Sequence, residues 1–351
     1  MSSRRLAFDG PVVFRDPQVE MAHGAGGKAT RRLVEGLLVP AFGGPLLHAL
    51  DDAAVLEVNG SRLALTTDSF VVRPLRFPGG SIGELAVNGT VNDLAVSGAA
   101  PLAMLVTLVL EAGLPGAVLG DVVSALAAAA DRAGIPVVGG DTKVVEHGKA
   151  DGLYVTTTGV GAIDPRVRCS PRAVRPGDRI LLSGHIGDHG IAVLLARADL
   201  DLDAADLRSD TRSVWPMVRA LLDAAAPSVR WMRDPTRGGV ATALTELARD
   251  ANVGVALSED ALPVRDEVRG ACELLGLDVL HIANEGQFVA VVAPDAADAA
   301  LEAVRSVAGG ESAVIVGEVR EGPAGVVTAA NSYGGSRLVD MLVGDPLPRI
   351  C

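Results

Sequence analysis

Two apolar-rich runs, 53–58 and 61–67, flank Asn59-Gly60, the strongest short signal for a two-residue hairpin turn, and together they predict an antiparallel pair. After the turn Phe77-Pro78-Gly79-Gly80, residues 81–98 read as a helix. Ser81 is suited to its N-cap, and Glu84, three positions on, to a capping box. Ile82, Leu85, Ala86, Val87, Val91, Leu94 and Val96 fall on nearly every side of that helix, so it is expected to be buried. A buried strand at 102–110, an alanine-rich amphipathic helix at 120–133, and strands at 135–138 and 153–163 follow. This half reads βββαβαββ if 11–15 is a first strand. Residues 164–178, with three prolines among four arginines, read as a connector. Beyond it come a strand at 179–183, a helix ending at 198, a polar acidic stretch at 199–213 and a helix at 240–250. Strands at 253–257, 288–293, 313–319 and 325–328 then interleave with helices at 263–275 and 295–308. Both halves mix strand and helix, which predicts an α/β protein of two-layer, α+β character.

Polar residues that break this pattern are the candidate chemistry. A two-residue turn sets Val58 opposite Ser61, hence Asp51 opposite Asp68 and Asp52 opposite Thr67. Facing carboxylates repel unless a cation lies between them or water solvates them. The apolar helix carries Asn88, Asn92 and Asp93, and a buried carboxylate needs a cation or donors. The strand at 135–138 is expected to end in Gly139-Gly140-Asp141-Thr142-Lys143, with close backbone approach, an acid, a hydroxyl and a cation together. His23-Gly24-Ala25-Gly26-Gly27-Lys28 precedes a helical pattern at 30–38 and can cradle phosphate or simply turn the chain. It is not a Walker A loop, since Ala22 and Ala29 stand where that motif needs Gly and Ser or Thr. Arg233-Asp234-Pro235-Thr236-Arg237-Gly238-Gly239 opens a second helix, and Asn284-Glu285-Gly286 is a polar tight turn. No G-x-G-x-x-G follows a strand, and no G-x-S-x-G is present. His185 and His189 sit across glycines without a third soft ligand, so hydrogen bonding suits them better than zinc.

The charge of −12 argues against nucleic acid or an anionic membrane as partner, and a phosphate ligand would need a metal to neutralise it. Ser3-Arg4-Arg5-Leu6 has no apolar core behind it, and the uncharged run 94–110 is split by Ser97-Gly98-Ala99-Ala100-Pro101. Cys169, Cys272 and Cys351 are far apart, without a C-x-x-C, which fits a reducing, cytoplasmic setting. The final stretch, Gly344-Asp345-Pro346-Leu347-Pro348-Arg349-Ile350-Cys351, cannot be helical and is stiffened by its prolines. It reads as an arm that presents a thiol, with Asn331-Ser332-Tyr333-Gly334-Gly335 upstream as its hinge.

Those motifs, with Thr66-Thr67-Asp68-Ser69, Gly187-Asp188-His189-Gly190 and the terminal Pro348-Arg349-Ile350-Cys351, resemble the HypE family of hydrogenase maturation factors. The resemblance runs from about residue 21 to the end and says nothing of 1–20. It implies the two-domain fold of the aminoimidazole ribonucleotide synthetase superfamily: an N-terminal domain at 21–164, a C-terminal domain at 165–335 and a mobile tail at 336–351. The N-terminal sheets of two subunits are expected to pair in a homodimer, with ATP and Mg²⁺ in a cleft. The implied reaction begins with a HypF-type carbamoyltransferase loading Cys351. ATP-dependent dehydration then yields a thiocyanate, and the cyano group passes to iron on a HypC–HypD scaffold. For the metal the candidates are Asp52, Asp68, Asp93 and Asp141. Gly24, Gly26, Gly27, Thr67, Asn88, Asn92, Gly140, Asp234, Gly238 and Gly239 are candidates for the nucleotide. Glu285 is the expected base and Lys143 the group that orients the carboxamide, roles that are interchangeable at this level. Two alternatives stay open: another ATP-dependent synthetase of the superfamily acting on a diffusible substrate, and a non-enzymatic carrier.

Overall fold

Asn59, at φ 50°, and Gly60 turn the chain between β1 (Ala54–Val58) and β2 (Ser61–Phe70), and the register sets Val58 against Ser61 as expected. The computed structural model describes residues 12–43, 51–197, 206–344 and 347–351. Residues 12–15 are irregular rather than a first strand, and Pro11 lies outside the described residues, as do most of the N-terminal extension, the expected helix end at 198 and Pro346. The N-terminal arm continues through α1 (Lys28–Leu33), a π turn (Val34–Leu38) and α2 (Val39–Phe42). Pro40 has no N–H to offer the Gly36 carbonyl, which instead accepts from Phe14 N at 3.4 Å.

The short strands β3 (Arg76–Phe77) and β4 (Gly80–Ser81) lead into α3 (Ile82–Val96). The Ser81 hydroxyl accepts from Gly83 N and donates to Glu84, a variant of the expected capping box. β5 (Ala99–Glu111), α4 (Gly116–Ala133), β6 (Val137–Val145) and β7 (Leu153–Ile163) complete a five-stranded sheet of order β1-β2-β7-β5-β6. Helices α3 and α4 pack side by side, with α3 laid across β2, β7 and β5. Along β7 every second residue is buried, and the inward Thr157 hydroxyl donates to the Ala86 carbonyl of α3 at 3.0 Å. The sheet's other face leaves Leu65 and Leu105 exposed.

One expectation gives way here. The strand expected to stop at 138 runs on as β6 through the glycine-acid motif, paired in parallel with β5. Gly140 is required by that pairing, because a side chain there would overlap the Val106 carbonyl.

The second half contains β8 (Arg179–Leu182), α5 (Asp188–Ala196), α6 (Trp215–Ala225), β9 (Val229–Arg233), α7 (Gly239–Asp250), β10 (Gly254–Ser258), α8 (Asp266–Leu275), β11 (Val289–Val292), α9 (Ala297–Arg305), β12 (Val314–Arg320), β13 (Val326–Ala330) and β14 (Ser336–Val339). Its seven strands order as β14-β13-β10-β12-β8-β11-β9. Leu181, Ala290 and Val292 face α6 and α9, while Ile180, Leu182, Val289 and Val291 face α7, so this sheet is covered on both sides. Segment 331–335, expected as the hinge of the tail, forms the tight turn between β13 and β14, with the Asn331 side chain accepting from Tyr333 N and Gly335 N. Among the described residues no helix is long and apolar enough to cross a membrane.

Candidate active site

Three elements bring carboxylates together where the two halves meet. Asp52 enters from the approach to β1, Asp93 from α3, and Asp234 from the turn after β9. One oxygen of each lies within 4.8 Å of the others. Thr66 Oγ1 on β2 donates to Asp93 Oδ2 at 2.7 Å, and Asp68, two residues along the same face, lies beside Asp93. Arg233 Nε reaches Asp52 at 3.0 Å and its Nη1 reaches Glu246 at 2.5 Å, so that one cation is shared with a second acid. Burial, and then the neighbouring carboxylates, push Asp93 and Asp234 well above the usual carboxylate range. This donor set of hard oxygens with excess negative charge fits Mg²⁺.

Around the cluster lie two connected chambers that share Asp52, Asp234, Thr236 and Arg237. The larger, of about 830 Å³, runs between the N-terminal arm, at Gly26, Gly27 and Thr30, and α7, at Gly239 and Thr242. Gly24 stands just outside it, its carbonyl accepting from Arg237 Nη1 at 2.5 Å. The smaller chamber, of about 220 Å³, is lined by the carboxylates, Thr67, Glu285 and Cys351. Gly238 and Gly239 both take positive φ to start α7. A side chain on Gly239 would collide with the Leu280 and Ile282 carbonyls, so this glycine lets the loop before Glu285 lie against the helix start.

Glu285 is 3% exposed, and its Oε1 has no hydrogen-bond partner among the described residues. Burial, with Asp234, Asp210 and Asp68 adding repulsion, raises its carboxyl well above the ordinary range. The backbone beneath it is fixed. Asp210 accepts from Glu285 N and Gly286 N, while Asn284 Nδ2 donates to the Pro235 carbonyl at 2.9 Å. Asn92 completes this frame, donating to the Glu285 and Arg212 carbonyls and accepting from Val214 N. It therefore joins the two halves with its polar atoms engaged. Asn88 similarly donates to Thr211, and the Thr67 hydroxyl donates to the Thr157 carbonyl of β7.

Cys351 reaches the chamber because residues 347–351 fold back between the two halves, with Leu347 and Ile350 buried in the core. Val71 N donates to the Cys351 carbonyl oxygen at 3.0 Å and Arg73 N to that of Arg349 at 3.2 Å. By contrast, burial pushes the Cys169 thiol up to about 12 and that of Cys272 to about 11, leaving both poor nucleophiles.

Asp141, Lys143 and Gly140 do not join this site within one chain. They lie on β6, at the sheet edge opposite β1, where Lys143 Nζ pairs with Asp141 at 2.7 Å in solvent. Asp234, expected at the nucleotide, takes the place expected for Asp141 in the carboxylate cluster.

A fold of two α/β halves with a carboxylate-lined cleft between them defines a protein of the AIR synthase-related class. Residues 50–163 match the model of the AIR synthase related protein N-terminal domain, and 175–330 that of its C-terminal domain. Carbamoyl dehydratase HypE of Azotobacter vinelandii is 49% identical over 338 residues, spanning 96% of this chain and 98% of that one. A crystal structure of a HypE–HypF complex superposes with a TM-score of 0.84 at 42% identity, over 88% of this chain and 99% of that one. HypE in complex with ATP superposes at 0.79, again at 42% identity, over 94% and 99%. The chain belongs to the HypE family of carbamoyl dehydratases.

Proposed function

We propose that this protein dehydrates an S-carboxamide on Cys351 to a thiocyanate, using ATP, and so supplies the cyanide ligand for the iron of [NiFe] hydrogenase. The observation that carries this reading is the seat of Cys351 in one chamber with Glu285 and the carboxylate cluster. A diffusible-substrate synthetase would gain nothing from folding its own tail into that chamber, and a carrier would have no need of a buried, unpartnered acid there.

The amide oxygen is a poor leaving group until it carries the γ-phosphoryl group of ATP. Loss of the N–H proton and cleavage of the C–O bond then leave S–C≡N, with the amide oxygen departing in phosphate. Glu285 would take that proton, as the buried acid that lines the same chamber as the thiol. The arm at Gly26 and Gly27 and the start of α7 at Gly238-Gly239 flank the larger chamber and suit the phosphates. Asp52, Asp93 and Asp234, with Asp68 adjacent, would hold Mg²⁺. There the ion would neutralise triphosphate charge and offset the carboxylate repulsion that adds to burial in raising the Glu285 carboxyl.

Lys143 and Asp141 fit this reading through a second copy of the chain. An open edge strand is a pairing site, and β6 exposes Val138 and Val144 beside these two residues. A homodimer through the N-terminal sheets would deliver them to the partner's chamber, Lys143 orienting the carboxamide there. A HypF-type carbamoyltransferase would load Cys351, and a HypC–HypD scaffold would receive the cyano group. The 21–164 and 165–335 division serves as the two working bodies, with the movable tail confined to the residues after β14. Intact-mass measurement tests the reaction. Carbamoylated protein given Mg-ATP should lose one water at the C-terminal peptide, and Cys351→Ala should show neither adduct nor loss. An adduct on Cys169 or Cys272, or dehydration without ATP, would overturn the reading.

A further inference from the structure

The docked tail is gripped from outside the chamber. Arg197, which caps α5, donates from Nη2 to the Pro348 carbonyl at 2.6 Å and to the Arg349 carbonyl at 2.7 Å. Its Nε donates to the Arg73 carbonyl at 2.9 Å, tying the tail to the strand-like segment alongside it. About two helical turns back on α5, His189 Nε2 meets the next carbonyl, that of Ile350, at 2.8 Å. A carbonyl only accepts, so Nε2 carries the proton and Nδ1 accepts from the Ser209 hydroxyl at 2.8 Å. Three consecutive tail carbonyls are thus matched by donors from one short helix. The ring of His189 is fully buried, edge-on to Phe77 at 5.4 Å, so its donor is fixed in place.

We propose that Arg197 and His189 are positioning residues that latch the tail by its main chain and set how deep the Cys351 thiol enters the chamber. A one-residue slip of the tail would leave its carbonyls out of step with the donors and withdraw the thiol by one residue. Ion pairing of Arg349 Nη1 with Asp151 at 2.5 Å adds a side-chain contact on the solvent side. Arg349 itself sits at φ 57°, a left-handed conformation that non-glycine residues hold only when their surroundings impose it. Its Nε donates to the Val71 carbonyl at 3.1 Å, which closes the grip.

This inference rests on the reading that the thiol reacts in the chamber, and the test separates the two. Iodoacetamide alkylation of Cys351 is followed by peptide mass, with Cys272 as the internal measure of an intact fold. Arg197→Ala should raise the Cys351 rate about tenfold or more, the effect of losing charge-assisted hydrogen bonds, with Cys272 unchanged. Arg197→Lys should fall between, since one ammonium cannot match a planar fork. In a second arm, protein carbamoylated by a HypF-type carbamoyltransferase is given Mg-ATP. Arg197→Ala should load at least as fast as the unaltered protein but dehydrate about tenfold more slowly. His189→Gln, which keeps a donor and an acceptor, should lie nearer the unaltered protein than His189→Ala. Alkylation of Cys351 at an unaltered rate in both Arg197→Ala and His189→Ala would sink the latch. So would loading and dehydration that fall together in Arg197→Ala. Faster alkylation in a protein that never dehydrates would keep the latch and discard the reaction.

Discussion

A half-buried carboxylate crowded by two others is held there at a cost, and at Asp93 that cost points to a ligand. Replacing it by Asn keeps an acceptor for Thr66 and relieves the repulsion among crowded carboxylates, so the fold should be unharmed or slightly stabilised while cation-dependent ATP turnover is lost. Thermal melting and phosphate release with and without Mg²⁺ check this; ordinary turnover in Asp93→Asn would remove it from the ligand set. His189 gives a second residue-scale expectation. Burial lowers its pKa to about 4 against an ordinary value of 6.5, so the unfolded chain binds the extra proton first as pH falls. Stability complete above pH 6.5 should therefore drain away between 6.5 and about 4, by up to about 3 kcal/mol. Denaturant midpoints across that range should fall less steeply in His189→Gln. Asp93 stood out because an acid interrupts an apolar helix, whereas Glu285 showed locally only as part of a polar turn and its role came from the family resemblance. Asp210, His189 and Arg197 matter through partners 75, 161 and 151 residues away, and no window of sequence displays such pairings.

Among the elements, α7 shows how a helix start can govern a loop it does not contain. Gly239→Ala should lose stability by about 1–3 kcal/mol from its positive φ alone. Collision with the Leu280 and Ile282 carbonyls should also displace the loop carrying Glu285, so dehydration should fall further than melting temperature would suggest. A variant with normal dehydration would show that the loop finds its place without this contact. The hairpin and α3 followed from their turn and periodicity. Helix α6 carries a stripe, Met217, Val218, Leu221, Leu222 and Ala225, that the structure buries, although neither it nor β9 is among the elements expected from the sequence. Strand β6 was cut short because two glycines and an acid look like a loop. Parallel pairing to β5, a tertiary contact, overrides that local preference.

At the scale of the whole molecule, two halves that each mix strand and helix followed from the alternation of elements, and the cleft only from the family resemblance; which sheet edge faces which site followed from neither. The cluster and Cys351 belong to one chain, whereas Asp141 and Lys143 lie on an edge strand turned away from them. That separation has a genetic consequence. If each site borrows Lys143 from its neighbour, Asp93→Asn spoils the site of its own chain and Lys143→Ala spoils the other chain's. In a mixed dimer both lesions then fall in the same site, and the remaining site is intact. Two inactive proteins, unfolded together and refolded at equal amounts, should recover roughly a quarter of full activity, as random pairing makes half the dimers mixed. Two null alleles in one cell should likewise complement each other, whereas activity that stays at zero on mixing would place both residues in the service of the same chain.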